Sequence, residues 1–153
     1  MTTTAKVSQQ EKWAALLSEA DFKGYVAARE SVPTPMVVYS PKVPLFDESP
    51  DLSKPVYHVP DGPCGFAWVN LKAVKGPEGK EARQFLNWLS GRTKPAKPEY
   101  APQSAYCRIP DRPSYYGGRD LWVSAHDQSA QRKFTHACAM AKVLEAGIPG
   151  LIA

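Results

Sequence analysis

A single α/β domain is the fold class this sequence predicts, and three observations carry it. Strand-like runs are followed by amphipathic helical runs twice in the second half of the chain. The length of 153 residues suits one core, and the composition is globular, with 43% hydrophobic and 22% charged residues. The expected architecture is a small mixed sheet of three to five strands, two long helices on one face, an N-terminal helix and proline-rich extended segments. An α+β arrangement of the same elements is the alternative. A helical segment over residues 1–31 would precede an α/β domain over 32–153. Fifteen prolines, about twice the ordinary share, cluster in 32–63 and 94–113 and favour extended chain lying on or around a core.

The first helix is expected to start at Ser8, because "SQQE" sets Glu11 three residues after a serine N-cap. Trp13, Leu16, Leu17 and Ala20 then fall on one stripe. Gly24 is a weak point, and "SVPTP" ends the helix because residues before proline avoid the helical region. "PMVVYS" reads as a short strand. "PVYHV" and "FAWVNLKAV" are β-branched and aromatic runs joined by the turn "PDGPCG", either as a hairpin or as neighbouring strands. Alternation puts Phe66, Trp68 and Asn70 on one face and Ala67, Val69 and Leu71 on the other, which suits an inner strand burying both its aromatics. Lys80 to Ser90 is the clearest helix, with Ala82, Phe85, Leu86 and Leu89 at i, i+3, i+4, i+7 and Gly91 at the C-cap. "SYYGGRDLWVSA" is a glycine-led strand, and Asp127 or Ser129 caps a last helix running to Glu145. Its core stripe is expected to be Ala130, Phe134, Ala137, Cys138, Ala141 and Leu144. His136, Met140 and Val143, with Arg132 and Ala139, fall on the opposite face as a partner-contact surface.

Several chemistries find little support. No run approaches the roughly 20 apolar residues of a membrane span, and "MTTTAKVSQQEKW" lacks the apolar core of a signal peptide, so no membrane partner is expected. Three cysteines with no C-x-x-C spacing suit a reducing compartment. "KGPEGKEA" fails as a phosphate-cradling loop because Val74 stands where the first glycine belongs and Glu81 where a hydroxyl must ligate magnesium. His58, His126, His136 and the cysteines show no close metal-ligand spacing, so neither a metal nor another cofactor is expected. Cys64 is a weak candidate nucleophile, with His58 or His126 as base; packing at the entrance to a strand is the stronger reading, and the chain reads as a non-enzyme.

Charge is the more informative signal. The net charge is +4, yet residues 1–60 carry six Lys/Arg against seven Asp/Glu, and residues 72–119 carry ten against four. Trp88, Tyr100, Tyr106, Tyr115 and Tyr116 are interleaved with those cations or border them, a composition suited to phosphates and stacked bases. The sharpest constellation surrounds the N-terminus of the last helix, where backbone amides and the dipole favour anions. Tyr115, Tyr116, Arg119, Gln128, Ser129, Arg132 and Lys133 are the candidate ligand-binding residues, and Lys80, Arg83 and Trp88 would extend that surface.

"PTPMVV", "CGFAW", "NWL", "YYGG" and "QSAQRKFTHACAMAKVLEAGI" together resemble a family of small, mostly uncharacterised proteins of tailed bacteriophages and prophages, over about Val32 to Ile148. The chain departs from that pattern in its long, proline-rich link over 92–113 and in stopping at "GLIA" without a polar tail. The resemblance implies a phage origin and little mechanism. The leading expectation is a phage accessory protein in the host cytoplasm that binds nucleic acid or a phosphate-bearing nucleotide. The alternative is a virion structural or cement protein, making homo-oligomeric or other subunit contacts through its proline-rich arms and the outer face of its last helix. A cysteine enzyme using Cys64 comes third.

Overall fold

The computed structural model describes residues 8–110 and 112–153. Its first helix, α1 (Gln9–Glu30), begins where the capping signal lies: the Ser8 hydroxyl accepts from the Glu11 amide at 3.2 Å. It runs unbroken through Gly24 and stops one residue before Val32-Pro33. A hairpin follows, β1 (Met36–Val43) against β2 (Asp47–Val59), antiparallel and with register breaks around Tyr39 and Pro41. Prolines lack the ladder donor, so they sit where such irregularities are tolerated. The stretch 32–63 is therefore an arm more than a wrapping, with its far end exposed. Its base is tied down by the Gln131 carboxamide, which accepts from the Thr34 amide at 2.8 Å.

The second sheet holds β3 (Trp68–Ala73), β4 (Cys107–Arg108), β5 (Arg119–Val123) and β6 (Leu151–Ile152) in the order β4-β5-β3-β6. The molecule is mixed α/β as expected, with four strands in the sheet that positions the site. All its pairings are antiparallel, where a mixed sheet was anticipated. The cause is that each strand–helix unit returns through a two-residue edge strand or a long loop and makes no parallel crossover. "PVYHV" and "FAWVNLKAV" consequently belong to different sheets.

Helices α2 (Lys80–Leu89) and α3 (Ala130–Gly147) pack on one face of this sheet, and α1 lies along α3. Trp13 of α1 reaches α2, its ring 5.9 Å from Phe85 and 5.8 Å from Trp88. One core then runs through all three layers: Leu17, Ala20, Val69, Leu71, Phe85, Trp88, Leu121, Met140 and Leu144. Burying each of its large apolar side chains stabilises the fold by about 1.5–3 kcal/mol. The segment from Lys94 does wrap this core, since the Gln10 side chain accepts from Ala96 and donates to the Lys94 carbonyl.

Helix α3 is turned relative to the expected stripe. Lys133, His136, Ala137, Met140 and Leu144 are buried, whereas Phe134 is 66% exposed and Cys138 faces solvent. The surface expected to meet a partner, His136 and Met140 with half-buried Val143, is thus packed inside the chain. Hydrophobicity misleads here because His136 has a buried carboxylate partner on α1, at Asp21, which lets a polar residue lead the inner face.

Candidate functional site

β3 sits between β5 and β6, and its period of two sends Val69 and Leu71 into the core and Trp68, Asn70 and Lys72 to the opposite face. Among the described residues no helix covers that face. The register sets Trp68 opposite Trp122, Asn70 opposite Asp120 and Lys72 opposite Ile152, while Arg108 of β4 stands opposite Trp122 from the other side. Phe66 precedes the strand and completes an aromatic group, its ring 6.1 Å from both Trp68 and Trp122. Phe66 is 63% and Trp68 53% exposed, contrary to the expectation that this strand buries its aromatics. Ala67, Val69 and Leu71 take the core side, where the rings of Phe85 and Trp88 from α2 pack.

Cations frame the aromatics. The Arg108 guanidinium lies 5.4 Å from the centre of the Trp122 ring, and the Lys133 ammonium, reaching from α3, lies 5.5 Å from that of Phe66. Among the described residues the indole N–H of Trp122 has no hydrogen-bond partner. The Asn70 amide donates to Asp120 at 2.7 Å and to the Gly117 carbonyl at 2.9 Å, which pins the turn Ser114–Gly118 beside the face. That turn presents Tyr115 and Tyr116 almost fully to solvent, edge to face with centroids 5.2 Å apart. Gly118 makes the approach possible: its φ is +72°, and a Cβ there would come within 2.1 Å of the Leu71 carbonyl oxygen. From Trp68 to Lys72 the face spans about 13 Å at roughly 3.3 Å per residue. Flat rings held by a sheet beside the exposed Lys72 and Arg108 can stack bases and neutralise phosphates.

The residues expected at the N-terminus of α3 do not form one site. Tyr115 and Tyr116 stand beside the open face, whereas Lys133 is buried, 4% exposed, with its ammonium 5.5 Å from the Phe66 ring. Arg119 lies on the core side of β5 and lines a separate shallow cleft with Arg83, Asn87 and Arg92. Ser129 is occupied as the cap of α3, accepting from the Arg132 amide and donating to the Asp61 carbonyl. Arg132 donates to the carbonyls of Ala28 and Arg29, closing the end of α1, and lies 3.7 Å from the Asp61 carboxylate. Gln128 accepts from the Gly65 amide through its carbonyl. Of the proposed extension, Lys80 is exposed on α2, Arg83 donates to the Val74 and Gly76 carbonyls, and Trp88 is fully buried with its indole bonded to the Tyr100 carbonyl, so it cannot stack a base.

Cys64 is exposed and shares a cleft of about 250 Å³ with His126, Asp61, Gln128 and Ser129; His58 pairs with Val37 in the hairpin, outside that cleft. Burial, then the neighbouring His136, Arg132, Arg29 and Lys133, push His126 down to about 4. Such an imidazole is a poor base for a thiol at neutral pH, and no hydrogen bond joins the two among the described residues.

A second group of reactive side chains was not legible in the sequence. Asp21, Cys107 and His136 converge from α1, β4 and α3, all buried, with their ligating atoms within 4.8 Å of one another. His136 Nε2 lies 3.2 Å from Asp21 Oδ1 and 3.6 Å from Cys107 Sγ, and the sulfur lies 3.7 Å from Met140 Sδ. Asp21 Oδ2 accepts from the Ser104 hydroxyl and from the amides of Ala105 and Tyr106. Burial works to raise the Asp21 carboxyl, but its hydrogen bonds with His136, Ser104, the Tyr106 amide and Cys107 prevail and hold it below the ordinary aspartate value.

No family model, curated protein or solved structure matches the chain. Among the described residues no helix is long and apolar enough to cross a membrane. Function has to be read from the chain's own geometry.

Proposed function

We propose that this chain is a non-enzymatic binding protein for single-stranded nucleic acid, which it holds on the open face of the four-stranded sheet. The observation that carries this reading is the cross-strand Trp68–Trp122 pair, joined by Phe66 and flanked by the exposed Arg108 and Lys72. Aromatic rings left half in water on a rigid sheet are costly unless something covers them, and a base offers a flat surface matched to each ring. Tyr115 and Tyr116 extend the platform at one end. The resemblance to phage and prophage proteins supplies the setting, an accessory protein acting in the host cytoplasm.

The test is fluorescence anisotropy with labelled single- and double-stranded DNA and RNA across a salt series, with mononucleotides as competitors. Single strands are expected to bind best, with affinity falling steeply as salt rises. Trp68→Ala should weaken binding about 5- to 150-fold, the equivalent of about 1–3 kcal/mol for one stacked base. Lys72→Ala/Arg108→Ala should flatten the salt slope by about 1.4, two phosphate contacts' worth. Absence of binding at low salt, or binding that Trp68→Ala leaves untouched, contradicts the proposal; displacement by a mononucleotide alone would reassign the face to a nucleotide.

A second reading has its own observation. The hairpin of β1 and β2 carries Leu45 and Phe46 about 90% exposed at its tip, a suitable arm for subunit contacts in a virion structural or cement protein. Oligomeric state and presence in virions separate the two.

A further inference from the structure

We propose that Asp21, Cys107 and His136 form a buried binding site for a thiophilic divalent transition-metal ion of the Zn²⁺ class, with the Met140 thioether closing its fourth side. The spacing of the donors is the first support. With metal–nitrogen and metal–oxygen distances near 2.0–2.1 Å and metal–sulfur near 2.3 Å, tetrahedral geometry separates nitrogen from sulfur by about 3.6 Å and nitrogen from oxygen by about 3.3 Å. The two corresponding distances here are 3.6 and 3.2 Å. Two sulfur donors would stand about 3.8 Å apart on the same metal–sulfur distance; Cys107 Sγ and Met140 Sδ are 3.7 Å apart.

The surroundings are those of a supported centre. Ligating histidines have their second ring nitrogen held, and ligating carboxylates have their outer oxygen hydrogen-bonded. Here His136 Nδ1 lies 2.9 Å from His126 Nε2, while Asp21 Oδ2 carries three donors and leaves Oδ1 turned towards Nε2, with Cys107 Sγ within 4.8 Å. The Ser104 hydroxyl also accepts from the Cys107 amide at 2.8 Å, locking the cysteine to the same loop. Gly24 gives the ring its space, since a Cβ there would meet His136 Cδ2 at 2.4 Å. Access is available too, because Asp21 lines the cleft of about 670 Å³ between α1 and the segment Glu99–Tyr106.

On binding, the Cys107 S–H bond breaks, the proton leaves to solvent and the sulfur lone pair forms the bond to the metal. No electron is transferred. A thiolate and a carboxylate then offset the two charges of the ion, so the buried centre is neutral. Three donors from three elements would make the ion a staple between α1, α3 and the edge of the sheet.

The experiment is titration of the reduced protein with Co²⁺, read by absorption, followed by displacement with Zn²⁺. The expected result is one ion per chain, an intense near-ultraviolet thiolate-to-cobalt band with tetrahedral visible bands, loss of both on adding Zn²⁺, and a raised melting temperature with Zn²⁺. Cys64→Ser/Cys138→Ser, which alters only exposed cysteines, should keep the spectrum, and Cys107→Ser should abolish the thiolate band. Because Cys107→Ser disturbs a buried position, the double variant serves as the folded reference. A double variant without the thiolate band, or a band that persists in Cys107→Ser, overturns the proposal.

Discussion

Replacing Gly24 by alanine sets two physical effects against each other, and they differ in sign. Alanine in place of glycine inside a helix stabilises it by about 1 kcal/mol on propensity alone. In α1, however, the new Cβ would lie 2.4 Å from His136 Cδ2, 2.7 Å from Nε2 and 2.9 Å from the His136 carbonyl oxygen. Rotating the imidazole does not relieve the last contact, so the helices must part where they cross. Overpacking of this kind costs about 1–3 kcal/mol. Shifting His136 also disturbs its bonds to Asp21 and His126, and a buried polar group left without its partner costs about 1–3 kcal/mol more. The net expectation is a loss of about 1–5 kcal/mol. Urea unfolding followed by far-ultraviolet circular dichroism should show the midpoint falling by about 0.5–2.5 M at an unchanged slope of about 2 kcal/mol per M. An unchanged or raised midpoint would show that α1 and α3 do not approach as closely as described, and would refute the reasoning.

Two further outcomes follow from the same geometry. Ser129→Ala removes the cap of α3 together with the bond to the Asp61 carbonyl, and should lower stability by about 1–2 kcal/mol in the same assay. Leu45→Ser/Phe46→Ser at the hairpin tip should leave monomer stability within about 0.5 kcal/mol; sedimentation velocity then reports whether the arm joins subunits, since loss of a wild-type oligomer in this variant is what the subunit-contact reading requires.

Legibility in the sequence tracked the range of the interaction. The cap at Ser8 and the stripe Ala82, Phe85, Leu89 with Gly91 beyond it are local patterns, and each stands where expected. β4 and β6 are two residues long, too short to carry a period, and exist only because β5 and β3 offer them partners. The aromatic strand is an inner one as expected, yet only its Val69 and Leu71 face is buried, because alternation defines two faces and does not say which of them a helix covers. The same ambiguity turned α3: Phe134 and Cys138 look like core by residue type, yet His136 displaces them through a partner 115 positions away. Cys107 and His136, 29 positions apart on a strand and a helix, have no spacing that sequence reading could have singled out. The basic and aromatic composition is the ground for proposing a surface for bases and phosphates, and tertiary packing keeps Arg119, Arg132, Ser129 and Trp88 out of it.

Backbone amide chemical-shift mapping during titration with a short single-stranded oligonucleotide tests the central claim most directly, because it reports where the ligand sits. The account predicts the largest shifts in Phe66–Lys72, at Arg108 and across Tyr115–Val123, with the indole signals of Trp68 and Trp122 moving together and the hairpin of β1 and β2 unchanged. Shifts confined to the hairpin or to the N-terminus of α3, or none at saturating oligonucleotide, would contradict it.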